Sequence, residues 1–381
     1  MRASPDLATT SHASWIEDNQ THTALWCAEN RSAPPKRIVV VDDTTSADTA
    51  FRLAHEGTAL LWRGDFQNAR QLLNALARRI DKKKKYDATL PPQEAFNMHR
   101  LAKSQRAHLL NQVLIQIDAD YQIDLRRAPD VKEACRAVFG DVREPFLLSL
   151  RALQGLIGSF EWRRKGIEIP ALEQRIHVHY GVYSPIRGEY IDLVAQAPLP
   201  DTGLAFDIGT GSGVLAAVLA RRGIGRVIAT DVDPRALACA RDNFERLGLE
   251  RQIELRQADL FPEGRSGLIV CNPPWLPARP TSPIEHAIYD PDSRMLLGFL
   301  DSLSEHLTPD GEGWLIISDL AEHLGLRSRD FLLRAMESAG LQVLGRLDAR
   351  PKHPKAFDET DPLHLARRDE VTSLWRLARR R

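Results

Sequence analysis

The chain has 381 residues, 43% of them hydrophobic and 27% charged, which is an ordinary composition for a globular protein of about two domains. Its 51 Lys and Arg balance its 51 Asp and Glu, so the chain lacks the basic excess that is typical of dedicated nucleic-acid binders. The four cysteines form no CxxC pair and no apolar run is long enough to span a membrane, so we expect a cytoplasmic protein with neither a metal site nor a membrane span.

The first 175 residues are predicted to form two parts. Residues 1–36 are rich in short polar residues and end near two prolines, so we expect a loosely ordered lead-in. Residues 37–175 are predicted to be a mainly helical N-terminal domain with a buried strand at 38–41. The helices of this domain are expected at 47–59, 66–80, 93–118, 131–139 and 145–160. No catalytic constellation is evident in this part of the sequence.

From residue 176 onward, strands and helices are expected to alternate. The predicted strands lie at 203–207, 226–231, 252–257, 268–271, 313–318, 341–347 and 371–377. This rhythm is typical of a Rossmann-like α/β fold with a mostly parallel sheet. Ligands of such sheets bind beyond the carboxyl ends of the strands, and each motif described below falls at such an end.

A glycine-rich turn follows the first of these strands, at residues 207–213. Its glycines let the backbone turn tightly and approach a ligand that a Cβ would exclude. Dinucleotide-binding folds carry G-x-G-x-x-G at the same point, so the G-x-G-x-G spacing favours S-adenosylmethionine (SAM) but leaves a dinucleotide open. Asp207 is expected to accept a hydrogen bond from an ammonium group or to orient the turn. The other predicted cofactor residues of the turn are Gly209, Thr210, Gly211 and Gly213.

Two further acidic residues follow the next strands. Asp231 is expected to bind both ribose hydroxyls of a nucleoside-bearing cofactor, as acids at this point do in nucleotide-binding α/β folds. Asp233 competes for that role, but it precedes a proline and is better suited to cap the following helix. Asp259 is expected to accept from the exocyclic amine of adenine, while Leu260 packs on the ring; an ordinary turn aspartate is the alternative.

The most informative motif is the asparagine, two prolines and tryptophan at residues 272–275. A planar nitrogen is a poor nucleophile because its lone pair is delocalised. The side-chain carbonyl of Asn272 and the main-chain carbonyl of Pro273 can accept its two N–H groups, which holds the lone pair toward the methyl group. Trp275 offers a flat face for a planar substrate, Pro274 is expected to line the same pocket, and Asn272 is expected to border the cofactor too.

These motifs resemble the class I SAM-dependent methyltransferases and, more narrowly, the branch with an N-P-P-[YFW] signature that includes the HemK/PrmC-type glutamine N5-methyltransferases. The resemblance covers roughly residues 180–350 and implies a seven-stranded sheet and a SAM-binding methyltransferase domain at 176–381. Tyr183, Pro185 and Glu189 match a segment that lines the cofactor and substrate pocket in that family. The chain departs from the family at residues 186–188 and at Trp275, where the family usually has tyrosine.

The resemblance also bears on the acceptor. HemK/PrmC-type enzymes carry a small helical substrate-recognition domain, which implies the same role for residues 37–175, a region about twice as large. The leading interpretation is methyl transfer to a protein glutamine amide, so the partner is a macromolecule and more often protein than RNA or DNA. An exocyclic amine of adenine or guanine, a small planar metabolite and an inactive SAM-binding protein are the alternatives. Zero net charge favours protein, whereas the lysine run at 82–85 favours nucleic acid.

Three other features are given structural or open interpretations. Cys271 lies on an apolar strand and is expected to be a core residue and not a nucleophile. His177 and His179 alternate along an extended segment, but no third metal ligand is evident. The loop at 352–364 lies between the last two strands, where a role in substrate recognition is an open interpretation.

Overall fold

The computed structural model describes residues 8–82, 89–200, 202–352 and 357–380. The chain divides into two compact units. The first consists of Met1–Asp87 and Asn97–Glu161, and the second of Ala88–Phe96 and Trp162–Arg381. The division falls near residue 161, whereas the sequence predicted a boundary at 175.

The first unit is built on a six-stranded mixed sheet in the part of the chain that the structure describes. Its strands are β1 (Ala8–Glu17), β2 (Gln20–Cys27), β3 (Ile38–Val41), β4 (Ala59–Trp62), β5 (Val113–Ile117) and β6 (Phe146–Ser149), in the order β1-β2-β6-β5-β4-β3. Its helices are α1 (Ala47–His55), α2 (Phe66–Lys82) and α4 (Lys132–Phe139), while α3 (Pro92–Leu110) and α5 (Leu150–Lys165) each cross a unit boundary.

The predicted loosely ordered lead-in is wrong for residues 8–27, which form the β1–β2 hairpin. The hairpin turns at Asp18 and Asn19, with φ values of 50° and 58°, and short polar residues tolerate this left-handed conformation in two-residue loops. Trp15 and Trp26 are 5% and 6% exposed and join one core cluster, which gives the strands a buried face. The missed signal was the alternation in β1 of buried Ala13 and Trp15 with exposed His12 and Ser14.

The prediction of a mainly helical domain is also corrected, because two predicted helices each contain a strand. The helix expected at 93–118 ends at Leu110, and β5 follows it. The stretch expected as a helix at 145–160 begins with β6, and α5 starts only at Leu150. Both strands are short apolar runs buried on both faces, and hydrophobic periodicity does not separate such runs from buried helix.

The second unit contains a seven-stranded sheet among the described residues. Its strands are β9 (Leu204–Ile208), β10 (Arg226–Asp231), β11 (Ile253–Gln257), β12 (Ser266–Cys271), β13 (Leu307–Ser318), β14 (Leu341–Ala349) and β15 (Thr372–Arg379), in the order β11-β10-β9-β12-β13-β15-β14. Strand β15 is antiparallel to both of its neighbours, and the other pairs are parallel. A separate hairpin is formed by β7 (Ile167–Ile169) and β8 (Gln174–Ile176).

Helices cover both faces of this sheet. They are α6 (Glu189–Gln196), α7 (Val214–Arg221), α8 (Pro234–Leu247), α9 (Arg294–His306), α10 (Leu320–His323), α11 (Phe331–Ser338) and α12 (His364–Asp369). Successive residues of β9 point to opposite faces, so Ala205 packs with α6, α7 and α8 while Phe206 packs with α9 and α11. Within the described residues, no helix is both long enough and apolar enough to cross a membrane.

The register of the central strands brings three sequence motifs to one level. Ile208, the last residue of β9, lies opposite Thr230 of β10 and Cys271 of β12. The residues that follow them, Gly209, Asp231 and Asn272, therefore leave the sheet side by side at its carboxyl edge. The fold thus places the glycine-rich turn between an acidic residue and an asparagine.

Candidate active site

The turn after β9 has the backbone conformation that its glycines predict. Gly209, Gly211 and Gly213 have φ values of 70°, 55° and 84°, all in the left-handed region that side chains rarely adopt. A Cβ on Gly213 would lie 2.6 Å from the Phe244 ring, so this glycine lets α7 pack closely on α8. A Cβ on Gly211 would meet no atom within 4 Å, so the backbone of this residue borders open space.

Asp207 orients the turn. Its side chain is almost fully buried, and Oδ2 accepts hydrogen bonds from Thr210 Oγ1 at 2.6 Å and from the Ala216 backbone N–H at 3.0 Å. One carboxylate oxygen therefore ties the strand end to both the turn and the first helical turn of α7. Burial raises the pKa of Asp207 to about 6, and the two hydrogen bonds oppose that rise.

Asp231 braces the same turn from β10. Its Oδ2 accepts from the Gly211 backbone N–H at 3.0 Å, and Oδ1 accepts from the Asp233 backbone N–H at 2.9 Å. Burial raises the pKa of Asp231, although these N–H groups act against the rise. Asp233 caps α8, as the sequence predicted, because its side chain accepts from the Arg235 N–H at 2.9 Å.

Asp259 and Leu260 follow β11 along the same edge. The Asp259 side chain is 66% exposed and forms an ion pair with Arg294, with 2.9 Å between Nη2 and Oδ2. Leu260 has φ 72°, and its carbonyl accepts from Thr230 Oγ1 at 2.6 Å, a contact that holds this unusual conformation. The structure thus places Asp259 at the surface, and its predicted contact with adenine stays a prediction.

The motif at 272–275 forms an irregular segment directly after β12. Pro273 and Pro274 are buried, while Asn272 and Trp275 are partly exposed. Trp275 Nε1 donates to Asn272 Oδ1 at 2.9 Å, so the indole fixes which way the asparagine amide points. An amide oxygen has two lone pairs, so this bond leaves capacity for a second donor.

The segment before α6 brings a group of charged side chains to Trp275. The Arg187 guanidinium carbon lies 5.7 Å from the centroid of the indole ring, so Arg187 covers one face of the tryptophan. Its Nη2 is 3.2 Å from Oε2 of Glu370, and its Nε is 3.8 Å from Oε1 of Glu189. Glu370 and Glu189 are 1% and 5% exposed, so the guanidinium neutralises charge that is otherwise buried.

The three matching positions of the pre-strand segment have different surroundings. Tyr183 lies near the charges of Arg187, Glu370 and Glu189, and burial raises the pKa of its hydroxyl. Pro185 is buried. Glu189 is the first residue of α6, and its Oε1 accepts from the Lys352 backbone N–H at 3.1 Å. Arg187 therefore joins the 183–189 segment to the 272–275 segment by its contact with Trp275. From the sequence alone, residues 186–188 are only a departure from the family pattern.

The sequence also missed Glu370 and Ser318. Ser318 ends β13, and its hydroxyl donates to Glu370 Oε1 at 2.7 Å. Glu370 directly follows α12 and lies in a charged stretch, so nothing in its sequence context separates it from a surface acid. A signal existed only for Ser318, which follows an apolar strand as the other site residues do.

The remaining sequence candidates have structural surroundings. Cys271 is fully buried, and burial raises the pKa of its thiol far above the usual range, as expected for a core residue. His177 Nδ1 lies 2.6 Å from the Arg163 carbonyl, and His179 Nε2 lies 3.1 Å from Asp242 Oδ2. Among the described residues, no group of three or more His, Cys, Asp or Glu is arranged to hold a metal ion. Residues 83–85 of the lysine run and residues 353–356 of the loop before the last strand lie outside the described residues.

Comparison with known proteins finds similarity to methyltransferases within part of the second unit. Residues 175–329 match the family model of the methyltransferase small domain. A ribosomal protein L11 methyltransferase of Pelotomaculum thermopropionicum is 47% identical over 72 residues, which cover 18% of this chain and 23% of the relative. A release factor glutamine methyltransferase of Cereibacter sphaeroides is 37% identical over 131 residues, with coverages of 33% and 43%. A tRNA1(Val) (adenine(37)-N6)-methyltransferase of Shewanella sp. strain MR-4 is 29% identical over 143 residues, with coverages of 35% and 60%.

These matches show that residues 175–329 are similar to methyltransferases. The matched range 175–329 contains the glycine-rich turn, Asp231 and Asn272. The chain spans less than two thirds of the length of these curated relatives, from 23% of the L11 enzyme to 60% of the tRNA enzyme. The relatives include enzymes named for protein and for tRNA substrates, so the similarity extends across both kinds of acceptor.

Proposed function

We propose that this chain is a SAM-dependent methyltransferase that transfers a methyl group to a planar nitrogen, with a protein glutamine amide as the acceptor. One observation carries the proposal: Asn272 leaves the sheet beside the glycine-rich turn, because Cys271 and Ile208 are paired in register. An acceptor of N–H groups thus stands next to a backbone turn that is open to a ligand. The family match over residues 175–329 supports the same interpretation.

The residues around the turn fit a nucleoside-bearing cofactor. The backbone of Gly211 borders open space, which a Cβ would begin to fill. The Asp231 carboxylate accepts from the Gly211 and Asp233 N–H groups, and carboxylate oxygens retain further lone pairs for ribose hydroxyls. Asp207 is engaged within the turn and so supports the cofactor site through the backbone. SAM, when bound, supplies an electrophilic methyl group.

Asn272 and Pro273 then serve to orient the acceptor. The side-chain oxygen of Asn272 and the carbonyl of Pro273 would each accept an N–H from the acceptor nitrogen. Two such bonds hold the nitrogen so that its lone pair faces the methyl group, and positioning of this kind accounts for large rate effects without a strong base. Pro273 is buried, its ring fixes φ and the following Pro274 restricts its ψ, so the direction of its carbonyl is well defined.

The charge of the whole chain favours a glutamine amide over a nucleobase. Its 51 basic and 51 acidic residues leave no basic excess to attract a phosphate backbone. Two of the three relatives described above are named for protein substrates. The similarity to a tRNA adenine-N6 methyltransferase supports the exocyclic amine of adenine as the second candidate.

Labelled methyl transfer separates the two acceptors. The full chain is incubated with methyl-labelled SAM and an extract of cells whose own copy of the gene has been deleted, and the product is digested with protease or RNase. We expect label that protease releases and RNase does not; the opposite result assigns the chain to RNA. Calorimetry that detects no SAM binding would remove both acceptors and the proposed activity.

The variant Asn272→Ala tests the role of the asparagine. We expect transfer to fall at least a hundredfold, because the acceptor nitrogen loses one of its two positioning bonds, whereas SAM affinity stays within a few-fold of the wild type. Thermal unfolding of the variant serves as the folding control. Transfer at the wild-type rate by this variant contradicts the mechanism.

A further inference from the structure

The geometry points to Arg187 as a positioning residue for the proposed transfer. The guanidinium holds the Trp275 indole, and the indole N–H in turn fixes the Asn272 amide. The inference rests on the proposed function for its kinetic consequence, but its structural part concerns only the free protein. Neither the family match nor the sequence motifs assign a role to this arginine.

The first link is the anchoring of Arg187. Its guanidinium is in ion-pair distance of two carboxylates, Glu370 at 3.2 Å and Glu189 at 3.8 Å, and both are nearly fully buried. Ser318 holds Glu370 from the opposite side through a 2.7 Å hydrogen bond to Oε1. These ion pairs favour the observed position of a long, flexible side chain, because moving it would leave a carboxylate buried without a cation. Arg187 Nη2 and Glu370 Oε2 are close enough for an ion pair but make no hydrogen bond with each other.

The second link is the contact between Arg187 and Trp275. The guanidinium carbon is 5.7 Å from the ring centroid, within the range of a cation–π contact. The indole is only partly buried, so packing alone leaves it freer to rotate than a core tryptophan. The guanidinium therefore limits rotation of the indole and with it the direction of Nε1–H.

The third link is the bond from Trp275 Nε1 to Asn272 Oδ1, at 2.9 Å. The terminal torsion of an asparagine is broad and roughly two-fold, so the oxygen and the NH2 group can exchange places. In the exchanged state, an N–H donor would face the N–H of the acceptor and repel it. The indole donor disfavours that state, since it would then point at the NH2 group of Asn272.

The chain itself contains a matched control for the loss of an arginine over a tryptophan. Arg346 lies 4.9 Å from the Trp375 ring and pairs with Asp348 at 2.6 Å, on strands β14 and β15. This second pair also places a guanidinium over an indole, but Trp375 lies in a strand and not in the 272–275 segment. Arg346→Met therefore controls for the loss of an arginine over a tryptophan without disturbing Asn272. Its acid Asp348 is 44% exposed, so the buried acids around Arg187 need a separate control.

The first experiment measures solvent exchange of indole N–H groups by NMR in the full chain labelled with 15N-tryptophan. The seven tryptophans give separate indole signals, and the one absent in Trp275→Phe belongs to Trp275. We expect exchange of this proton to accelerate about tenfold in Arg187→Met and to be unchanged in Arg346→Met. An unchanged rate in Arg187→Met overturns the inference, and no methyl acceptor is needed for the measurement.

The second experiment measures initial rates of transfer at saturating labelled SAM into the extract of the gene-deleted cells. We expect Arg187→Met and Trp275→Phe each to lower the rate about tenfold, with SAM affinity within twofold of the wild type. The double variant should be no slower than either single variant, because both changes release the same amide, and Arg187→Lys should recover part of the rate. Losses that multiply in the double variant contradict the inference.

Removing Arg187 leaves two buried acids without a cation, so a further variant is needed to control for a loss of folding. The double variant Arg187→Met with Glu370→Gln removes one of these charges and keeps an acceptor for Ser318. It should melt closer to the wild type than Arg187→Met and still show the faster indole exchange; slow exchange in this variant overturns the inference. Faster exchange without transfer by the wild type would refute the proposed function alone.

Discussion

Asp207 is a buried acid whose titration should be visible in protein stability, and the variant Asp207→Asn tests this. Burial raises the pKa of Asp207 from 3.8 to about 6. A carboxyl whose pKa is higher in the folded state than in the unfolded state binds its proton more tightly when folded. Its contribution is fully present below the unfolded pKa and is lost as the pH rises through the folded pKa.

The magnitude follows from the two pKa values. Each pKa unit corresponds to about 1.4 kcal/mol, and the rise of about two units gives a total of about 3 kcal/mol, of which about 2 kcal/mol falls between pH 4.5 and pH 7. An asparagine can still accept from Thr210 and from the Ala216 N–H but does not titrate. The other effects of the substitution on the free energy of unfolding are nearly independent of pH. They therefore shift the difference between the two proteins by a constant amount and leave its pH dependence to Asp207.

The assay is thermal unfolding of wild type and Asp207→Asn at a series of pH values. Relative to the variant, the wild type should lose about 2 kcal/mol between pH 4.5 and pH 7, which is a change of about 5 °C in the gap between the melting temperatures. A gap that is constant with pH would refute the reasoning. A gap that moves the other way would show that the two hydrogen bonds outweigh burial and keep the pKa of Asp207 low.

Two further pairs of variants test the turn and its neighbours. Gly213→Ala should cost about 3 kcal/mol of stability, since its Cβ would lie 2.6 Å from Phe244 at φ 84°, whereas Gly211→Ala should cost about 1 kcal/mol. Gly211→Ala should, however, lower SAM affinity at least tenfold. Equal melting temperatures of the two variants would contradict the first expectation, and equal SAM affinities would contradict the second. Asp231→Ala should abolish SAM binding that calorimetry can measure. Asp233→Ala should cost about 1 kcal/mol of stability because the cap of α8 is lost, with SAM affinity within twofold of the wild type. Similar SAM affinities of the two variants would contradict the assignment of the ribose to Asp231.

The second unit was the more predictable part of the fold. Its strands are separated by helices and turn residues, so hydrophobic runs and glycines mark each element in turn. The first unit was harder, because β6 runs directly into α5 and only Asn111 and Gln112 separate α3 from β5. Periodicity is uninformative in such runs, and only pairing with distant strands makes them extended.

Within the candidate site, residues that lie at strand ends were predictable and residues that act through side-chain contacts were not. Asn272 and Asp231 follow apolar strands, so their placement comes from the backbone register. Arg187 and Glu370 meet only because α6 and β15 pack at the same edge, and a sequence carries no local mark of such a contact. The indole of Trp275 was expected to offer an open face, but the structure engages it twice, through Asn272 and through Arg187.

The place of β15 in the sheet has a consequence for synthesis of the protein. This strand lies between β13 and β14, although it follows both along the chain. Strand β14 therefore has no partner strand when it leaves the ribosome, and it can join the sheet only after β15 has been synthesised. The turn at 207–213 and Asn272 belong to strands made earlier, whereas Glu370 reaches Ser318 only with β15. A nascent chain can thus shape the glycine-rich turn well before Arg187 gains Glu370, the second of its two acidic partners.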